Sequence, residues 1–395
     1  MQYEFLPVLA RLRAALSWRR PGVRAFVYQV LLVALVCCGV WYLVSNTLAN
    51  LTARNIATGF GFLQGEAGFA IGEASIAYAP ADTYARAILV GIVNTLKVAL
   101  AGIVLATLLG TLVGIARLSR NWLVARLAAV YVEVMRNIPL LLQLFFWYAL
   151  ITESLPGPRQ ALNPLPGVFL SNRGLQFPAL VGDSLPWLAV GLAAAIVVGV
   201  FFGRWSRRRQ AATGQAWPMA RTWLLLVIFG PLAGWLLSGA ALALDMPTLR
   251  GFNFTGGMQL TPELAALLAG LVIYTSAFVA EVVRSGIQAV ADGQWEAANA
   301  LGLKRHLALR LVILPQALRV IVPPMTSQYL NLTKNSSLAV AIGYPDIVSV
   351  LNTVINQSGQ AIEGVLIIMA AYLTVSLTIS VCMNWYNRRL ALAER

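Results

Sequence analysis

Charge is what this chain has least of. Of its 395 residues only 11% are Asp, Glu, Lys or Arg, while 59% are hydrophobic. Soluble domains carry about a quarter charged residues, so a water-soluble globule is excluded at the outset. Histidine is nearly absent, and the single His306 can build neither a metal site nor a catalytic triad. The three cysteines, Cys37, Cys38 and Cys382, all lie inside apolar runs without CxxC spacing. Neither a disulfide framework nor a zinc site is supported. The phosphate-cradling pattern GxxxxGK[ST] is missing, and no Gly-Lys pair occurs anywhere. No cofactor, metal or nucleotide is therefore expected on the chain.

What is present is apolar sequence in runs of about 20 residues, the length that crosses a bilayer. Eight spans are expected, at approximately 25–47, 87–116, 128–151, 186–204, 221–244, 262–284, 317–342 and 362–387. Unpaired backbone groups are intolerable in lipid, so the runs are read as helices and the fold class as an all-α polytopic membrane protein. Basic residues up to Arg24 followed by an apolar run give the N-terminus the look of a signal peptide. The run is too long for one and no A-x-A site follows, so it is read as the first span.

The net charge of +14 would suggest nucleic acid in a soluble protein. Here no nucleic-acid partner is expected, because the basic residues cluster in short loops between the spans. Twenty-one of the 29 Lys and Arg fall in one set of alternating loops and five in the other. The excess marks the cytosolic side and places both termini there, together with the segment 285–315. The segment from about 48 to 85 and the Pro- and Gly-rich segment 152–185 fall on the opposite side and are read as surface loops.

Within the cytosolic segment, DGQWEAANALG has the pattern of a short helix. Asp292 is placed to cap it, Glu296 lies in its early turns, and Gly302 suits a left-handed stop. Ala297 and Ala298 would let another surface close on the backbone. An ordinary interfacial loop helix is the plainer reading of the same composition. Glu296-Ala297-Ala298, Gly302 and Leu314-Pro315, with Val312 where Ile is usual, resemble the EAA loop of bacterial ABC importer permeases. NTLKVALAGIVLATLLGTLVGIARLS from Asn94, YVEVMRNIPLLLQLFFWY from Tyr131 and NLTKNSSLAVAIGYPDI from Asn331 are similar to core segments of the polar amino acid permeases. The likeness is greatest to the long permease subunits of general L-amino-acid importers and their glutamate/glutamine relatives.

That resemblance implies a type I ABC importer permease in the bacterial inner membrane, carrying L-amino acids and performing no catalysis itself. Its implied partners are a second related permease, two copies of a cytosolic ATPase subunit, a periplasmic amino-acid-binding protein and the lipid bilayer. The implied ATPase-coupling surface is Glu296, Ala297, Ala298, Leu301, Gly302 and Leu303. The organisation expected is a basic N-terminus 1–24, a first span 25–47, a periplasmic loop 48–86, a core in two parts, 87–151 and 262–387, and a tail 388–395. Residues 152–261 are an insertion with two extra spans that the short family members lack.

Intramembrane polar residues are costly and usually functional. Asn94 and Lys97 share a helix face early in their span, where a snorkelling lysine is the competing reading. Glu133 with Arg136, and Glu281 with Arg284, are three apart and placed to pair. Pro323-Pro324 is expected to kink or break its span, with Asn331, Lys334, Asn335, Ser336 and Ser337 following in an apolar context. This cluster reads equally as a solute path or as a polar seam between helices. A secondary transporter or channel is the alternative function, but it should show internal repeats, and no second EAA stretch or Pro-Pro break occurs.

Overall fold

The computed structural model describes residues 21–53, 58–182, 185–215, 217–239 and 243–390. Most of the expected cytosolic N-terminus 1–24 and part of the tail 388–395 lie outside the described residues. In chain order the elements are helices α1 (Pro21–Ala53), α2 (Tyr84–Arg117), α3 (Trp122–Asn137) and α4 (Leu140–Ser154), then strands β1 (Leu162–Leu165), β2 (Val168–Ser171), β3 (Gly174–Phe177) and β4 (Ala179–Val181). Helices α5 (Leu185–Thr213) and α6 (Met219–Ser238) precede strands β5 (Ala243–Asp245), β6 (Thr248–Arg250), β7 (Asn253–Thr255) and β8 (Met258–Leu260). The chain continues through α7 (Pro262–Gln288), α8 (Asp292–Ala300), α9 (Arg305–Ala308), α10 (Leu314–Asn335), α11 (Ile347–Ser358) and α12 (Ala361–Leu390). Among the described residues seven helices are long and apolar enough to cross a membrane, or eight when the bent pair α3–α4 counts as one span.

Helix α7 is the centre of the bundle, packed against α2, α4 and α10. In a stripe of small buried residues of α2 spaced by four, Gly102, Ala106, Gly110 and Gly114, Gly102 faces Leu332 of α10 and the last two set the approach to α7. A Cβ added at Gly110 would lie 2.6 Å from the Val279 Cβ, and one at Gly114 would lie 2.7 Å from the Ala280 carbonyl oxygen. The two helices thus meet backbone to backbone, the contact that gives helices in lipid most of their attraction. Helix α1 is the opposite case: none of its residues is buried.

The third expected span is not straight. Helices α3 and α4 meet at 105° across Ile138 and Pro139. Pro139 has no N–H and biases Ile138 to extended backbone, which ends α3. The carbonyls freed by the break are recovered by buried Gln143, whose Nε2 donates to Met135 O and Ile138 O at 2.9 and 3.1 Å. Conversely, α10 runs through Pro323-Pro324 unbroken. Buried Ile321, Val322 and Met325 hold both sides of the pair in the bundle, and neighbouring helices make such prolines tolerable. The geometry changes later, at Ser336, where a 3-10 turn runs to Ile342.

The segment 152–185 before the helix pair α5–α6 was expected to be a surface loop and instead carries strands, as does the segment after the pair. β1, β2, β3 and β8 form an antiparallel sheet in that order, and β4–β5 and β6–β7 are two-stranded. Leu175 pairs with Leu260 and Ala179 with Asp245, so chain on either side of the two helices is knitted into one small β layer. Phe169 stacks on Phe254 at 4.8 Å between ring centres.

Candidate functional site

The expected coupling surface is a helix with two different sides. α8 starts after Ala291, not at a capping Asp292, which sits in the first turn without a side-chain cap bond. Its carboxylate there still favours the helix dipole. The helix ends as the sequence implied. Gly302 has φ +70°, its N–H donates to Asn299 O, and Leu303 N donates to Ala298 O. This is the paired closure that a left-handed glycine allows. On the inner side Trp295 packs on the cluster of Val283, Val290, Ile313, Ala317 and Ile321, and Ala298 is buried at 2% exposure. Gln316 Nε2 donates to Gln294 Oε1 at 3.0 Å, fixing α8 to α10. On the outer side Glu296, Ala297 and Leu301 are exposed, Leu301 at 79%. The two alanines therefore part company: Ala298 seats the helix on its own protein and Ala297 faces outward.

Behind this helix stands a charged brace. Glu281 accepts from Arg284, as its spacing implied, and also from Arg117 at the end of α2, which sequence reasoning did not connect to it. Arg284 further donates to Gln288. Helix α9 leads into a single wide turn, Leu309–Ile313, in which Leu314 N donates to Leu309 O. Pro315 follows directly, and its missing N–H removes the ordinary α bond to Leu311. Glu133 and Arg136 do not pair; Arg136 lies over the Phe278 ring, 5.0 Å from its centre.

At the other end of the bundle Asn94 is fully buried. Its Nδ2 donates to Glu73 O at 2.8 Å and Pro345 O at 2.9 Å, and its Oδ1 accepts from Ser75 Oγ at 2.8 Å. Both amide hydrogens are thus committed to the fold. Lys97, one turn on, is exposed and holds Glu73 Oε1 at 2.6 Å, while Glu73 Oε2 accepts from Thr261 Oγ1 at 2.6 Å. Glu73, Thr261 and Glu263 line a cleft of about 200 Å³.

The polar stretch of α10 divides in the same way. Ser336 Oγ donates to Thr333 O at 2.7 Å and Ser337 Oγ to Lys334 O at 2.8 Å, bonds that ease the change to the 3-10 turn. Asn335 is half-buried, whereas Asn331 and Lys334 are exposed three residues apart on one helix face. Lys334 has no acidic partner among the described residues. With Ser337, Val348, Ile368 and Tyr372 it lines an open cleft of about 360 Å³. Sequence reasoning missed Tyr372, whose hydroxyl reaches towards Asp346 Oδ2 at 3.4 Å, and Asp346 itself, which accepts from Ser349 N at 2.8 Å. Asp346 lies between the last two spans. Burial pushes its carboxyl up to about 6 against the opposing pull of its hydrogen bonds. Buried Tyr344 beside it has a hydroxyl without a partner among the described residues, and burial, with Glu73 and Asp346 nearby, raises its pKa.

The chain matches the family described as binding-protein-dependent transport system inner membrane component over residues 102–392. It is 52% identical over 388 residues to the putative amino-acid ABC transporter permease protein YhdX of Escherichia coli, covering 97% of this chain and 98% of that one. It is 50% identical over 377 residues to the general L-amino acid transport system permease protein AapQ of Rhizobium johnstonii, covering 95% and 94%. Identity is 42% over 404 residues to the glutamate/glutamine/aspartate/asparagine transport system permease protein BztB of Rhodobacter capsulatus, covering 94% and 95%. Among solved structures, a crystal structure of an amino acid ABC transporter with histidines aligns at TM-score 0.46 and 22% identity, over 78% of this chain and 95% of that one.

Proposed function

The chain belongs to the family of binding-protein-dependent transport system inner membrane components, and we propose that it is the permease subunit of an ATP-driven importer of L-amino acids. In this reading it pairs with a second, related permease. Two copies of a separate ATPase subunit work the pair from the cytosol, and a periplasmic protein delivers the amino acid. The core consists of 87–151 and 262–387, with 152–261 inserted.

The observation that carries the coupling role is the two-sidedness of α8. Glu296, Ala297 and Leu301 face outward, and the side bearing Trp295 and Ala298 is fixed to α7 and α10 through buried contacts. A force applied to the exposed side by a closing ATPase dimer passes to both helices without a flexible joint. Gly302 and Leu303 hold the helix end in place. A small exposed apolar patch is the kind of surface a protein groove covers.

The solute path in this proposal runs past Asn331 and Lys334, with Asn335, Ser336 and Ser337 shaping the backbone beneath them. Lys334 meets the α-carboxylate as an unpaired ammonium, in a cleft whose volume of about 360 Å³ falls within the range of small-molecule sites. Lys97, steered by Glu73, stands where solute would enter, and Asn94 holds that entrance in shape. The test is reconstitution: the purified complex in liposomes should hydrolyse ATP faster when binding protein and amino acid are added, and a Cys at position 301 should cross-link to the ATPase subunit. If no ATPase co-purifies and no stimulation occurs, the importer reading fails.

A further inference from the structure

The insertion has no part in the function above, yet it builds a polar cavity of its own. Arg204, Ser206 and Gln210 of α5, Trp217, Trp223 of α6 and Arg389 at the end of α12 surround about 450 Å³. Among the described residues no acidic residue lines it, and neither Arg204 nor Arg389 is in a salt bridge. We propose that this cavity binds the phosphate of an anionic phospholipid in the cytosolic leaflet.

Depth is the first support. The uncharged part of α5, from Leu185 to Phe202, is about 27 Å long at 1.5 Å per residue, close to the thickness of the hydrocarbon core. Arg204 is the first charge beyond it. Arg389 reaches the same level at the end of another span, so two guanidiniums from separate helices converge at headgroup height. Guanidinium is the side chain best matched to phosphate oxygens. The aromatic residues agree. Arg389 lies 4.0 Å from the Trp385 ring centre, and Arg209 lies 5.5 and 5.9 Å from those of Trp205 and Trp217. Tryptophan concentrates where headgroups meet acyl chains.

The cavity wall decides between a lipid and a free anion. Gly199, Val200 and Gly203 continue the lining towards the membrane interior, beside the two arginines. A ligand that fills the whole space has a charged head and an apolar tail. Basic pockets between transmembrane helices on the cytosolic side recognise such headgroups.

The experiment uses the assembled complex, stripped of lipid in detergent and titrated with phosphatidylglycerol, phosphatidylcholine or inorganic phosphate, with bound lipid counted by native mass spectrometry. Phosphatidylglycerol should bind more tightly than phosphatidylcholine and resist displacement by inorganic phosphate. Arg204→Gln and Arg389→Gln should each weaken it about fivefold, while Arg126→Gln, outside the cavity, leaves it unchanged. Arg389 is exposed at a helix end, so Arg389→Gln is decisive if Arg204→Gln fails to assemble. Equal binding of the two lipids, an equal loss in Arg126→Gln, or displacement by inorganic phosphate overturns the proposal. So does a result in which the arginine variants keep their lipid and lose the ATPase subunit instead, which would make the cavity a protein contact.

Discussion

Asn94 joins three strands of chain that are far apart in sequence: the loop at Glu73 and Ser75, helix α2, and the turn at Pro345. Replacing it with alanine removes three hydrogen bonds and strands two carbonyls, those of Glu73 and Pro345; exposed Ser75 turns to water. At about 1 kcal/mol net per bond the loss is about 3 kcal/mol. With about 2.1 cal/mol/K of unfolding entropy per residue over the chain, that lowers the thermal midpoint by about 4 °C. Asn94→Asp should cost more at neutral pH, because a carboxylate then faces both carbonyls. The assay is thermal unfolding of the purified protein in detergent, set beside uptake per reconstituted molecule. Protein that survives should transport with its amino-acid preference intact. An unchanged midpoint together with lost or altered uptake would refute the reasoning, because it would mean the amide serves the solute.

Three further outcomes are expected. Leu301→Asp and Glu296→Lys, both on the exposed side of α8, should leave insertion and thermal stability within about 0.5 kcal/mol of the parent while separating ATP hydrolysis from uptake; coupled uptake at parental rates would count against docking there. Lys334→Ala should reduce uptake or change its substrate range with no shift in thermal midpoint, and full activity would return the α10 cluster to a helix seam. Asp346 has a folded pKa of about 6 against 3.8 unfolded, so its stabilising contribution is complete below about pH 4 and is lost as pH rises through 6. Asp346→Asn keeps an acceptor for Ser349 N and should remove roughly 2–3 kcal/mol of that pH dependence, read from thermal midpoints between pH 4 and 7.

The spans were legible because an apolar run of membrane length has few alternatives, and the EAA helix was legible because Glu296, Gly302 and Pro315 each carry a local backbone meaning. The bend at Pro139 was half legible. Proline announced a turn, but only the structure pairs it with Gln143, a lone amide in an apolar run. The β layer was hidden because its pairings are non-local: Leu175 finds Leu260 across two whole membrane helices. The roles of Asn94 and Lys334 could not be separated by sequence, since both are polar residues in apolar helices. What distinguishes them is that Asn94 is buried and bonded to two carbonyls, whereas Lys334 is exposed and has no acidic partner among the described residues. Of the kink or break expected at Pro323-Pro324, the break does not occur, because the helix is packed on both sides of the pair.

The wide turn at Leu309–Ile313 sets an angle as well as absorbing a proline. A turn with i→i+5 bonding advances each residue through a smaller arc than the 100° or so of an α-helix, so five such residues leave everything beyond them roughly a quarter-revolution behind. The azimuth of Asn331 and Lys334 relative to α9 is therefore written into this one turn. Rewinding it to ordinary pitch would swing those side chains about the helix axis and convert a push at one end of α10 into a screw motion at the other.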